Sequence, residues 1–144
     1  MQTHFLLDNK ISIRILLTSL WLVMLGGCAL NGPKTPEAIV AERAQARWDA
    51  LIKGDLETAY QYLSPGYRKV KSFERYKRGI FGVGVWQAAK VDKVACEQPD
   101  VCKVTVLVTT RLALPRIGTS MESTTPVYER WIRDEQGWWH VPRE

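Results

Sequence analysis

Few side chains in this chain are equipped for covalent or metal chemistry: three cysteines and two histidines among 144 residues. Cys28 closes the run Leu25-Gly26-Gly27-Cys28. Small residues just before a thiol are what a peptidase with narrow subsites accepts, which makes Cys28 a candidate for a processed and modified N-terminus. Cys96 and Cys102 stand on either side of the segment Glu97-Gln-Pro-Asp-Val101. A zinc site would want tighter cysteine spacing and further ligands, and His140 is the only histidine beyond residue 27. No metal and no cofactor are therefore expected, and a nucleophilic triad would have only His140 to draw on.

The segment leading to Cys28 reads as an export signal. Residues 1–14 carry Lys10 and Arg14 against Asp8, and Ile15–Leu25 is uncharged throughout. That stretch is shorter than the roughly 20 residues of a membrane-spanning helix and falls within the about 7–15 of a signal-peptide core. Leu-Gly-Gly-Cys resembles the lipobox of bacterial lipoproteins. The resemblance implies diacylglycerol on the Cys28 sulfur, cleavage before Cys28 and acylation of the new amino group, commonly with palmitate. One acyl chain holds a protein to a bilayer only marginally, whereas two or more anchor it stably. Ala29, standing where an aspartate would direct retention at the inner membrane, implies by the same resemblance an outer-membrane anchor facing the periplasm.

This divides the chain into a signal peptide (1–27), a linker (28–35) and one domain (36–144). The net charge of +5 falls by one when residues 1–27 are removed. That surplus suits anionic lipid or cell-wall polymer, and nucleic acid is not expected, since no reader motif is visible. An exported chain favours a Cys96–Cys102 disulfide over two free thiols.

The elements that would position any site follow from local chemistry. Thr35 can cap a helix with Pro36 at its first position and Glu37 in its first turn. Val40, Ala44, Trp48 and Leu51 share its apolar face. Gly54 can end that helix in the left-handed conformation, and Asp55 can cap a second over Leu56–Leu63. Ser64-Pro65-Gly66 reads as its stop, and Ser72 as the start of a third helix with Phe73, Tyr76 and Ile80 inward. Lys71, Arg75 and Arg78 read as one cationic face of that helix, a patch for anionic lipid or glycan or, more simply, a solvated surface. The glycine-dense stretch 79–84 reads as the passage from helices to sheet.

From Val85 onward the pattern is extended. Lys90–Cys96 and Val101–Leu112 form a hairpin in which Cys96 faces Cys102 and Val94 faces Val104, with Val104, Val106 and Val108 on one side. Pro115–Thr125 reads as a polar bend. Val127–Arg133 and Trp138–Val141 form a last hairpin with Ile132 opposite Trp139. One of its faces carries Tyr128, Arg130, Trp139 and Val141, the other Val127, Glu129, Trp131, Trp138 and His140. Aromatic residues on both faces predict a ribbon covered on both sides, or one with a cavity against it.

The phrase Gly54-Asp-Leu-Glu-Thr-Ala-Tyr-Gln-Tyr-Leu-Ser-Pro65 and the closing Trp131-Ile-Arg-Asp-Glu-Gln-Gly-Trp-Trp139 resemble the NTF2-like superfamily, including its SnoaL-like and ketosteroid-isomerase-like members. The resemblance implies an α+β cone, with N-terminal helices packed on a curved antiparallel sheet, often dimeric and often with a pocket. Such folds host binders, scaffolds and enzymes. An isomerase- or hydratase-like member needs a carboxylate and a proton donor; Asp92 with Tyr60 or Tyr128 is the available set, though a strand aspartate facing solvent and tyrosines in the core explain these residues as simply. Tyr60, Arg111, Tyr128, Trp131 and Trp139 are the candidates for lining a pocket, the tryptophans equally fitting a core. The expectation is a binding protein that engages the membrane through Cys28 and holds a small apolar ligand or an envelope protein. An isomerase-like enzyme and a scaffold subunit of an envelope complex are the alternatives.

Overall fold

A computed structural model describes residues 33–143. The signal-peptide, lipobox and Cys28 expectations lie outside these residues, as does most of the linker. The domain is α+β, four helices followed by a four-stranded antiparallel open sheet in the order β1-β2-β3-β4. The helices are α1 (Pro36–Lys53), α2 (Leu56–Gln61), α3 (Pro65–Val70) and α4 (Phe73–Gly79). The strands are β1 (Trp86–Gln98), β2 (Val101–Leu114), β3 (Thr119–Asp134) and β4 (Gly137–Val141).

Short polar side chains begin each helix. Thr35 Oγ1 accepts from Ala38 N, Asp55 Oδ1 from Thr58 N, Ser64 Oγ from Tyr67 N and Ser72 Oγ from Arg75 N. The Thr58 hydrogen bonds hold the Asp55 carboxyl below its usual range. Gly54 ends α1 at φ 74°, a conformation costly for any residue with a Cβ. Ser64-Pro65-Gly66 departs from its expected role: the serine caps α3 and the proline occupies a first-turn position, where its missing N–H loses nothing. Lys71 sits beyond α3 in an extended conformation, with its Nζ 5.5 Å from the Tyr67 ring centroid. It therefore does not share a helical face with Arg75 and Arg78, which alone lie on α4.

The β1–β2 register pairs Cys96 with Cys102 and Val94 with Val104 as expected, and the two cysteines are joined by a disulfide. Beyond Lys93↔Thr105 the ladder resumes at Val91↔Val106, so Asp92 is the extra residue of a bulge. The parity extrapolated from Val94 to Asp92 fails there, and Asp92 is exposed. The bend expected over 115–125 contracts to a turn of 3₁₀ helix at Pro115–Ile117 followed by Gly118, and β3 pairs with β2 from Thr119 to Ile132. Pro126 pairs with Leu107 in the part of β3 that β4, paired only with Arg130–Asp134, does not flank. A proline is tolerated at such an edge.

The core lies between α1 and the inner face of the sheet. Val40, Ala44, Trp48 and Leu51 meet Cys102, Val104, Val106, Val108, Trp131 and Trp138. A second cluster joins Tyr60 and Leu63 to Tyr76, with Phe73 and Ile80 packed against it. Both sheet edges are partly covered. His140 N donates to Tyr62 O (2.8 Å) and Ser64 N to His140 O (3.1 Å), so the chain after α2 adds to β4 like a short parallel strand. On β1, the Gln45 side-chain amide from α1 donates to Ala89 O and accepts from Val91 N, each at 3.0 Å, replacing a strand neighbour beside the bulge. Gly82 precedes β1 at φ 119°, and a Cβ there would strike the Trp86 ring. Among the described residues no helix is long and apolar enough to cross a membrane.

Closing so short a loop removes entropy mainly from the unfolded chain. The Cys96→Ser/Cys102→Ser variant is expected to keep the fold and lose about 2 kcal/mol in urea unfolding. The non-reduced protein should show no thiol reactive toward an alkylating agent at either position.

Candidate functional site

The polar centre of the domain is built from charged residues that stand on otherwise apolar faces. On α1, Arg47 falls on the stripe of Val40, Ala44, Trp48 and Leu51; on β3, Glu129 falls between Val127 and Trp131 on the inward face. Both are nearly excluded from water, their side chains 7% and 3% exposed. Arg47 Nη1 donates to Glu129 Oε1 at 2.7 Å, and Trp48 Nε1 donates to the same oxygen at 2.8 Å. Trp131 Nε1 donates to Oε2 at 2.9 Å. Both oxygens act only as acceptors, the arrangement of a carboxylate, and three donors converge on them.

The energetics follow from burial. Moving two charges into a low-dielectric interior costs several kcal/mol per ion, which their mutual attraction offsets only when the remaining hydrogen-bonding capacity is filled. The indoles fill it: a tryptophan brings a large apolar body and one N–H, so Trp48 and Trp131 shield the pair and satisfy it together. Trp131 is fully buried, and its ring lies 5.8 Å from that of His140.

Around this pair sit two further titratable groups. His140 is buried, and desolvation followed by the charge of Arg47 drives its pKa well below the ordinary histidine value, so the ring is neutral near pH 7. Tyr76 on α4 is pushed up by burial, partly offset by Arg47, and stays a phenol. His140 Nδ1, Tyr76 Oη and Arg47 Nε are buried without a hydrogen-bond partner of standard geometry among the described residues. The cluster thus holds an ion pair, a neutral imidazole and a neutral phenol within one interior.

The residues singled out in the sequence do not gather there, with one exception. Trp131 belongs to the centre as a donor to Glu129, not as a ligand platform. Tyr60 is buried in the second cluster and donates to Lys71 O at 2.7 Å. Trp139 is half-buried, its ring flanked by the Arg43 and Arg68 guanidinium groups at 5.2 and 5.6 Å, and its Nε1 donates to Asp134 Oδ1. Arg111 is an exposed partner of Glu122 (2.9 Å). Tyr128 is 58% exposed on the outer face of the sheet. Asp92, in the β1 bulge, is two strands from Tyr128, a separation of about 10 Å at ordinary strand spacing. Asp92, Tyr60 and Tyr128 therefore do not form an acid–base set.

Arg47 and Glu129 are the residues that reading by chemistry passed over. Their signal was present: a base on one apolar stripe and an acid on another, opposite in sign and both inward by periodicity. Comparison with protein-family models, curated proteins and solved structures finds no match for this chain.

Arg47→Met and Glu129→Gln each leave a group of the pair uncompensated, and each is expected to cost about 3–5 kcal/mol in urea unfolding. The double variant leaves no lone charge and should lose clearly less than the sum, a coupling that a double-mutant cycle measures directly. His140 provides a second test. Its pKa is depressed in the folded chain, so below about pH 6.5 the unfolded chain binds the proton more readily and stability falls as the pH falls. Between pH 7.5 and 5.5 the wild type should lose up to about 1.4 kcal/mol per pH unit once below that value, and His140→Gln should flatten the dependence.

Proposed function

We propose that this chain is a lipid-anchored envelope protein whose domain is NTF2-like and works by binding rather than by turnover. The observation that carries the binding reading is the state of the interior carboxylate: Glu129 accepts from Arg47, Trp48 and Trp131 at once. A general base needs a lone pair aimed at a substrate proton, and here the inward acid is committed to three groups of the protein. The inner face of the sheet is filled by α1 and the tryptophans, which leaves the outer surfaces for contact with a ligand or an envelope partner. Helices preceding a long antiparallel sheet, with aromatic residues and one acid facing inward, support the NTF2-like assignment. Leu25-Gly26-Gly27-Cys28 supports acylation at Cys28 and an outer-membrane anchor facing the periplasm.

The anchor is tested in a bacterial host with a lipoprotein pathway. The wild-type protein should fractionate with membranes, incorporate labelled palmitate and begin at Cys28 by mass. Cys28→Ser should abolish label and processing. A palmitate-labelled Cys28→Ser protein, or a mature wild type that begins elsewhere, would overturn the assignment.

A further inference from the structure

The outer face of the sheet, the one turned away from α1, carries a charge arrangement that folding does not favour. Lys103 on β2 lies directly opposite Arg130 on β3. In the neighbouring row Lys93 on β1 is opposite Thr105, which is itself opposite Tyr128. All three cations are exposed. Like charges directly opposite on a sheet face repel and destabilise the pair. Glu97, bonded to Lys103 at 2.8 Å, offsets one of them; among the described residues Lys93 and Arg130 form no ion pair. These side chains line an open depression of about 800 Å³, with Arg143, Tyr128 and Pro142 also in its lining.

We propose that this depression is a binding site for an anionic glycan. Lys93, Arg130 and Arg143, which form no ion pair among the described residues, attract carboxylate or phosphate groups, and the arginine fork can hold one of them bidentately. Tyr128 is 58% exposed here, and the face of an aromatic ring carries a negative partial charge that complements the C–H face of a sugar ring. Single-stranded nucleic acid stacks successive bases on successive aromatic platforms, and Tyr128 is the one aromatic side chain of this lining. Ring stacking beside anion capture, on one aromatic and several cations, is the recognition chemistry of an acidic sugar. The site rests on the binding reading above and is independent of the anchor.

The test is calorimetric titration of the full-length protein in detergent with a galacturonic acid tetramer, alongside its uncharged methyl ester. The expected result is saturable binding of the acid, loss of binding on esterification, and weakening of about tenfold in Arg130→Ala and in Tyr128→Ala. The distant Arg75→Ala should bind as wild type, and unchanged melting temperatures would show that the exposed-site variants are folded. Failure of the acid to bind, equal binding of a single-stranded oligonucleotide or of anionic vesicles, or an unaffected Tyr128→Ala would each overturn the proposal. Failure of the binding reading itself is distinguishable, because turnover of a substrate dependent on the inner cluster would remove that reading whether or not the tetramer binds.

Discussion

An ion pair removed from water must be surrounded by matched donors and acceptors, and the Arg47–Glu129 pair imposes that requirement on the domain. It fixes how α1 crosses the sheet, because Arg47 and Trp48 must both reach one oxygen of Glu129. It fixes the face that β3 turns inward, because Trp131 must reach the other. A sheet that slipped by one residue would send Glu129 to solvent and leave Arg47 buried alone. The pair thus acts as a register device, at an energetic cost that the surrounding indoles keep small.

The rest of the architecture protects this arrangement at the sheet's margins. β4 is short, but the chain after α2 continues its hydrogen bonding through Tyr62 and Ser64. This holds His140 against Trp131. On the opposite edge, Gln45 supplies an amide where β1 bulges at Asp92. An uncovered edge is a template for pairing with another chain, and here both are occupied at the points nearest the polar centre. Arg43 adds a further clasp by donating to Trp138 O while its guanidinium lies against the Tyr62 and Trp139 rings.

The two faces of the sheet then divide the labour. The inner face carries aromatics, valines and one saturated acid, and its chemistry is internal. The outer face repeats lysine and arginine at positions where neutral residues would be more stable. The residues that hold the fold together thereby lie on one side of the strands, and the exposed cations on the other.

Much of the scaffold was legible in the amino-acid order because its causes are local. Thr35, Asp55 and Ser72 cap the helices they precede, Gly54 ends α1, and the cysteines and valines agree on one hairpin register. The pairing of Ile132 with Trp139 follows from alternation and the turn at Asp134–Gly137 in the same way. What escaped depends on neighbours distant in the chain. A bulge at Asp92, visible only in the pairing of β1 with β2, erases parity read from Val94. The long β3 forms because β2 offers it a partner from Val101 to Leu114, although its own residues 119–125 are polar. The joining of Arg47 to Glu129 was decided only by tertiary structure: the two lie 82 residues apart, and only the packing of helix on strand put them within 2.7 Å in a buried space.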